Sequence, residues 1–416
     1  MLTRTRTPVS AALGAALLVG LGPVDAARHT TPRGPTPFRV LLRDGSLVDG
    51  RFRALDRETG VLQLDGRKLR RDDVVSVSGP APVEARQGVV LHLVGGDLLR
   101  GELVGGDEAG ETVVVRSSVL GEVPVFIDRV ARIVFVERVG AGQDDRFAVP
   151  DDVDEAEGLF VPARRGFDVI VGAVQRFQSD GVVFEARGDD APRLRPYADL
   201  AGFALRDGDG PEVPMPWQLL TASGDRVGVD WIAAGEEEWT FALESGAEVR
   251  LPPVHVAALT PRSESVRFLS DLEPVAVEER SSFGGGDSEV LRPFRRDRSV
   301  VGGALCAFER GFGKGVGVHA RSVLTYTVPE GVGAVVGIVA LDDSVLGLPV
   351  RGLVDVRVTV GGEPVFERAG LAAGADPAVL GRLRVEAGQQ VEFIVDFGPG
   401  LDLGDRVDWL ALAFVP

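Results

Sequence analysis

The sequence holds a single cysteine, Cys306. That excludes a disulfide framework and any zinc site built on cysteine. Asparagine is absent, so no Asn-x-Ser/Thr glycosylation acceptor exists. Lysine occurs only at Lys68 and Lys314, which leaves arginine to supply nearly all of the 45 basic residues. Lysine and asparagine codons are AT-rich, so this usage points to a high-GC bacterial genome. The four histidines, His29, His92, His255 and His319, lie too far apart for a short metal-binding motif. Basic residues are outnumbered by 62 acidic ones, for a net charge of -17. Such a balance opposes nucleic-acid binding, which needs a basic footprint to displace counterions from phosphates. The chain carries no HExxH, no P-loop, no Rossmann glycines and no nucleophile elbow. Its 416 residues leave room for two to four domains, at roughly 100–200 residues each.

The N-terminus is distinctive. Arg4 and Arg6 precede the apolar run Ala11 to Leu21, and Val24-Asp25-Ala26 is a small-x-small cleavage site. The run is too short to span a bilayer and reads as a secretory signal peptide over residues 1–26, with an uncleaved anchor as the alternative. No later apolar run reaches the ~18 residues of a membrane helix. The expected product is secreted or periplasmic, without a membrane span after cleavage. Residues 28–37, rich in Thr, Pro and Arg, read as a short disordered leader.

From Phe38 onward, short Val/Leu-rich runs are punctuated by Asp44-Gly45, Asp49-Gly50 and Asp65-Gly66. Asp-Gly between such runs signals a hairpin, because Gly accepts the positive φ of a tight turn. The segment Val89 to Leu103 aligns on Val40 to Phe52, and Asp128 to Val134 on the closing run Asp73 to Ser78. Weaker copies occupy 167–205 and 217–260. Strand, Gly-Asp turn, strand ending in Gly, two further strands and a closing strand form a grammar that looks like a small SH3- or Sm-like barrel. A β-solenoid or propeller fragment is the alternative. The expected organisation is two barrels over 38–137, an acidic linker over 138–165 and two further barrel-like repeats over 166–262. The Sm likeness would suggest RNA, but export and acidic charge oppose it. Trp217, Trp231 and Trp239 lie near Glu236-Glu-Glu and read as barrel core or as a sugar platform.

After residue 265 the pattern changes to longer strands alternating with Gly/Asp turns, an antiparallel sandwich over 265–416. Its ordered motifs are Leu269-Ser-Asp-Leu-Glu-Pro, Gly315-Val-Gly-Val-His-Ala-Arg-Ser ahead of Tyr326, Val336-Gly to Asp342-Asp343, Asp355-Val-Arg-Val to Phe366 and Asp405-Arg-Val-Asp-Trp409. Together they resemble the NPCBM family of carbohydrate-binding modules. The resemblance covers about residues 265–416 and implies a galactose-binding-like jelly roll with non-catalytic glycan binding in an exported bacterial protein; with the front repeats, the expected fold is all-β, tandem small SH3/Sm-like barrels followed by that sandwich. The residues that suit a sugar are His319, Arg321, Asp342, Asp343, Asp405, Asp408 and Trp409, which supply donors, carboxylate acceptors and one aromatic face. Each also has a structural alternative: Trp409 as core, His319 bonded within the sandwich, and Asp342-Asp343 capping a turn or holding a structural calcium. Gly315 and Gly317 suit a tight approach at the start of a strand, and Cys306 a small buried hydrophobe. The partner expected is a polysaccharide or other glycan. The alternatives are an envelope scaffold whose sandwich meets another protein, and a glycosidase whose carboxylate pair is hidden among the many acids.

Overall fold

The computed structural model describes residues 37–84, 87–139, 157–205, 214–282, 292–398 and 402–416. The expected signal peptide, the leader and the acidic residues Asp144 to Glu155 lie outside the described residues. The described residues are β-strands joined by turns and short 3-10 segments. None forms a helix long and apolar enough to cross a membrane.

The front half repeats one strand pattern. The first copy runs Phe38–Leu42, Leu47–Gly50 continuing as Phe52–Asp56, Val61–Leu64, Arg67–Arg70, a 3-10 turn at Arg71–Asp73, then Val74–Ser78. The second is Val89–Leu93, Leu98–Gly106, Thr112–Ser117, Gly121–Phe126, the turn Ile127–Arg129 and Val130–Phe135. The third, Glu157–Pro162, Phe167–Phe177, Gly181–Ala186, Arg193–Pro196, the turn Tyr197–Asp199 and Gly202–Ala204, starts inside the stretch expected to be linker. Glu157–Pro162 pairs with both Phe167–Phe177 and Gly202–Ala204, so those residues belong to the repeat. The fourth is Trp217–Thr221, Arg226–Ala234, Trp239–Leu243, Glu248–Leu251, the turn Pro253–His255 and Val256–Pro261.

One glycine recurs in the second strand of each copy, at Gly50, Gly101, Gly172 and Gly228, close to where that strand crosses the start of the first strand. A Cβ at Gly101 would stand 2.1 Å from the Arg116 carbonyl, and one at Gly172 2.1 Å from that of Glu185. At those two positions the glycine permits close backbone crossing where the strand bends, while at Gly50 and Gly228 it makes room for the side chains of Leu64 and Arg262, each 2.8 Å from where a Cβ would stand. This corrects the hairpin expectation at Asp49-Gly50: the chain runs through there as strand, whereas Gly45 and Gly66 do take positive φ, at 80° and 82°.

The copies are not isolated bodies. Closing strands pair across them: Ala258 with Ser78, joining first to fourth, and Ile133 with Phe203, joining second to third. Phe38 stacks on Trp239 at 4.7 Å and Phe52 meets Trp231 edge-on at 5.4 Å, so the first and fourth copies share one aromatic core. A unit of about forty residues buries too little surface to be stable alone, and sharing a core remedies that. Trp217, Trp231 and Trp239 are fully buried, which settles them as core.

The C-terminal part is a two-sheet sandwich. One sheet has the order Arg295–Arg296, Gly315–His319, Arg406–Val415, Ala334–Leu341 and Ala378–Val379, with Arg267–Phe268 and Leu383–Arg384 on its flanks. The other runs Ala276–Glu279, Ser322–Thr327, Gln390–Phe397, Leu353–Val360 and Glu363–Ala372. Between them lie Trp409, Phe393, Tyr326 and Phe414. The strand Arg406–Val415 is buried along nearly its whole length, with one face in the sandwich and the other against the front half. Val407, Trp409, Leu412 and Phe414 point inward, while Ala411, Ala413 and Val415 meet Leu41 and Val75. Both faces are dry, hence the unbroken apolar run where a one-faced strand would alternate. Polar ties reinforce the joint: Arg310 donates to the carbonyls of Pro37 and Ser78, and Arg226 to that of Asp297.

Candidate functional site

The last residue of Gly315–His319 lies beside Arg406 in the adjoining strand, and the backbone N–H of Asp342 donates to the Arg406 carbonyl at 3.0 Å. Three strand ends thus meet at one rim of the sheet, with His319 and Asp342 on either side of Arg406. Glycine makes the geometry feasible. A Cβ at Gly317 would lie 2.4 Å from the Arg298 carbonyl, and one at Gly315 2.4 Å from that of Trp409. The chain could not cross so closely there with a side chain in place.

His319 is half-buried. Its Nδ1 lies 2.9 Å from the Ala320 carbonyl and its Nε2 3.1 Å from an Arg292 guanidinium nitrogen. The consistent tautomer has Nδ1–H donating to Ala320, leaving Nε2 to accept from Arg292. Burial lowers the imidazole pKa; the Ala320 carbonyl opposes this, and Arg292 adds to it. His319 is therefore neutral near pH 7 and serves to orient Arg292. Arg406 donates to the Ser344 hydroxyl at 3.0 Å, and burial lowers its pKa from the usual value.

The acids at this rim have separate environments. Burial raises the Asp402 carboxyl, but hydrogen bonds from Ser282 and Ser281 outweigh it and hold the pKa below the usual value. Asp405 is 1% exposed and accepts from the Leu353 N–H at 2.9 Å, while its Oδ2 has no partner. Burial, with Asp402 adding to it, pushes its pKa up to about 6. Asp342 caps the 3-10 turn Asp343–Val345 by accepting from Ser344 N–H at 3.0 Å. Asp343 turns to the other side and accepts from the N–H groups of Phe308 and Glu309, at 3.1 and 2.8 Å. Asp408 is fully buried next to Asp342; burial and then that neighbour raise its pKa well above normal. Arg321 is half-exposed and its nearest acid is Asp396, at 3.9 Å.

Of the residues expected to meet a sugar, the rim brings together His319, Asp342 and Asp405. Trp409 is a correction: it is 0% exposed and packs edge-on against Phe393 at 5.4 Å, offering no face to a ligand. Asp408 is likewise sealed, and Asp343 serves the turn at Phe308–Glu309. Sequence reasoning missed Arg292, Asp402 and Arg406. Arg406 stood inside a quoted motif, and the signal that would have found it is the strand register, because it sits opposite His319. Leu403, next in sequence to Asp402, and Val350 are exposed 48% and 50% on neighbouring loops. Those loops touch closely: a Cβ at Gly404 would lie 2.5 Å from the Val350 carbonyl. Among the described residues no group of three or more His, Cys, Asp or Glu side chains is placed to hold a metal ion.

The rim thus offers the exposed Arg292 guanidinium, the half-buried Arg406 and two exposed apolar side chains, with the Asp402 carboxylate buried and held by serines. No curated protein matches the chain. Among solved structures, a CBM51 module with a GlcNAc complex and INT domains, from Clostridium perfringens ZmpB, is similar at 19% identity and TM-score 0.31. The similarity covers 46% of this chain and 41% of that one, so the chain spans less than half of that relative. A CBM51 from a Clostridium perfringens GH95 in complex with methyl-galactose is similar at 18% identity and TM-score 0.30, over 36% of this chain and 99% of the other. The tandem CBM51 modules of a Streptococcus pneumoniae family 98 glycoside hydrolase give 12% identity and TM-score 0.30, over 91% and 88%. Residues 266–415, the span of the sandwich, match the family model of the NPCBM/NEW2 domain.

Proposed function

We propose that this chain is an exported, non-catalytic carbohydrate-binding protein whose sandwich rim grips a neutral glycan. The four front copies, read as SH3-like small barrels, form the platform that carries the sandwich. The observation that carries the reading is the convergence of Arg292, His319, Arg406 and Asp402 beside exposed Leu403 and Val350, within an NPCBM/NEW2 domain. Arg292 and Arg406 donate to ring hydroxyls and the exposed Leu403 and Val350 receive the C–H face, while the buried Asp402 carboxylate, held by Ser281 and Ser282, lies close to His319. Burial of Asp342, Asp402, Asp405 and Asp408 supports the binding role over hydrolysis, because cleavage needs a carboxylate pair open to the scissile bond.

A glycan array probed with the full chain from Ala27 tests this. Binding to a defined set of saccharides, weakened at least about tenfold by Arg292→Ala with the melt unchanged, is the expected result; a lost charged hydrogen bond is worth about 1.5–3 kcal/mol. Binding that Arg292→Ala leaves untouched would reject the rim. No binding to any saccharide would favour the scaffold reading.

A further inference from the structure

A second site lies in the front half, between the first copy and the end of the fourth. There a cavity of about 370 Å³ is lined by Arg43, Arg57, Arg70, Arg71 and Arg262, in a chain of net charge -17. Two of these guanidiniums are matched: Arg57 pairs with Asp230, and Arg262 with Asp97. The other three have no carboxylate partner among the described residues. Arg43 donates to the Ser265 hydroxyl at 2.6 Å, and its buried Nε has no partner at all. Arg71 lies over the ring of Trp217, 5.3 Å from its centroid, which fixes its plane without neutralising its charge. Arg70 is exposed at the mouth.

Unmatched guanidiniums converging on one cavity call for an anion, since the planar fork suits a carboxylate in bidentate contact. The cavity also contains two acids, Glu58 and Asp72. A bare phosphate would be repelled by them, whereas a saccharide bearing carboxylates presents acids to the arginines and hydroxyl donors to Glu58 and Asp72. The volume lies at the small end of the range for ligand pockets, about 300–1,000 Å³, and exceeds what a single oxyanion needs.

We propose that the cleft binds an anionic saccharide, its carboxylates held by Arg43, Arg70 and Arg71. The saccharide half of the assignment rests on the carbohydrate reading above; the anion half stands on the arginines alone. The test is calorimetric titration of the full chain with trigalacturonate at low ionic strength, with maltotriose and inorganic phosphate as parallel arms. Trigalacturonate should bind saturably, weaken with added salt, and lose at least about tenfold in affinity in the Arg43→Gln/Arg70→Gln variant, a loss of about 1.4 kcal/mol. Arg70→Gln alone, at an exposed position, should give part of that loss should the double variant fold poorly. The sandwich variant Arg292→Ala should leave trigalacturonate binding intact, so failure of the rim to bind neutral sugar is separable from failure here. Equal binding of maltotriose would overturn the anionic assignment. Phosphate binding as tightly and competing for the site would overturn the saccharide. No trigalacturonate binding, or binding indifferent to Arg70→Gln and the double variant, would overturn the site.

Discussion

Replacing Asp405 by Asn tests the electrostatics of the rim quantitatively. The wild-type carboxyl is driven from an ordinary 3.8 to about 6, by burial first and then by Asp402. For an acid with a raised folded pKa, the native state holds a proton that the unfolded chain has released. Stability from this group is therefore intact below about pH 4 and is lost as pH rises to about 6. Two pKa units correspond to about 3 kcal/mol as an upper bound; water reaching the adjacent rim reduces this to about 1–3 kcal/mol. An Asn keeps the oxygen that accepts from Leu353 N–H and puts an NH₂ where the unpartnered Oδ2 now lies. Asp405→Asn should therefore be more stable than wild type by about 1–3 kcal/mol at pH 8, with the advantage gone below pH 4. Urea unfolding of both proteins at several pH values reads this directly. A stability difference independent of pH, or a less stable variant at pH 8, would refute the burial argument.

Three further outcomes follow from the packing. Asp225 is fully buried and accepts from the hydroxyls of Ser117, Thr221 and Ser223 and from the Arg100 N–H, tying the second and fourth copies together. Asp225→Ala should cost at least about 3 kcal/mol in denaturant unfolding, because several buried donors lose their acceptor; a cost under about 1 kcal/mol would mean the donors find other partners. Gly317→Ala should destabilise the sandwich by about 1–3 kcal/mol, since its Cβ meets backbone atoms that cannot rotate away; thermal melts of the two proteins would show it. Ala413→Leu, at the joint between sandwich and front half, should cost a similar amount. An unchanged melt would mean that the two parts are not closely docked there.

What the sequence disclosed depended on whether a feature is local. The repeated strand grammar, the Asp-Gly turns at Gly45 and Gly66 and the sandwich motifs all rest on short-range spacing, and the strands appear where those patterns place them. The pairing of first with fourth and second with third copies was hidden, because residues such as Phe52 and Trp231 meet only through long-range closure. At the rim, His319 and Asp342 are legible from the glycines before one and the apolar strand before the other. Trp409 misled because an aromatic in a closing strand looks the same in sequence whether it faces solvent or core; here both faces of its strand are covered. Arg292 and Asp402 sit in segments without periodicity, and only folding brings them near His319.

The central claim is that the sandwich rim holds a saccharide through Arg292 and its neighbours. It is tested most directly by calorimetric titration of an array-selected neutral oligosaccharide into the full chain, wild type against Arg292→Ala and His319→Ala. The account predicts one saturable site on the wild type, at least about tenfold weaker in both variants, with their melts within about 2 °C of wild type. Undiminished affinity in both variants would contradict it.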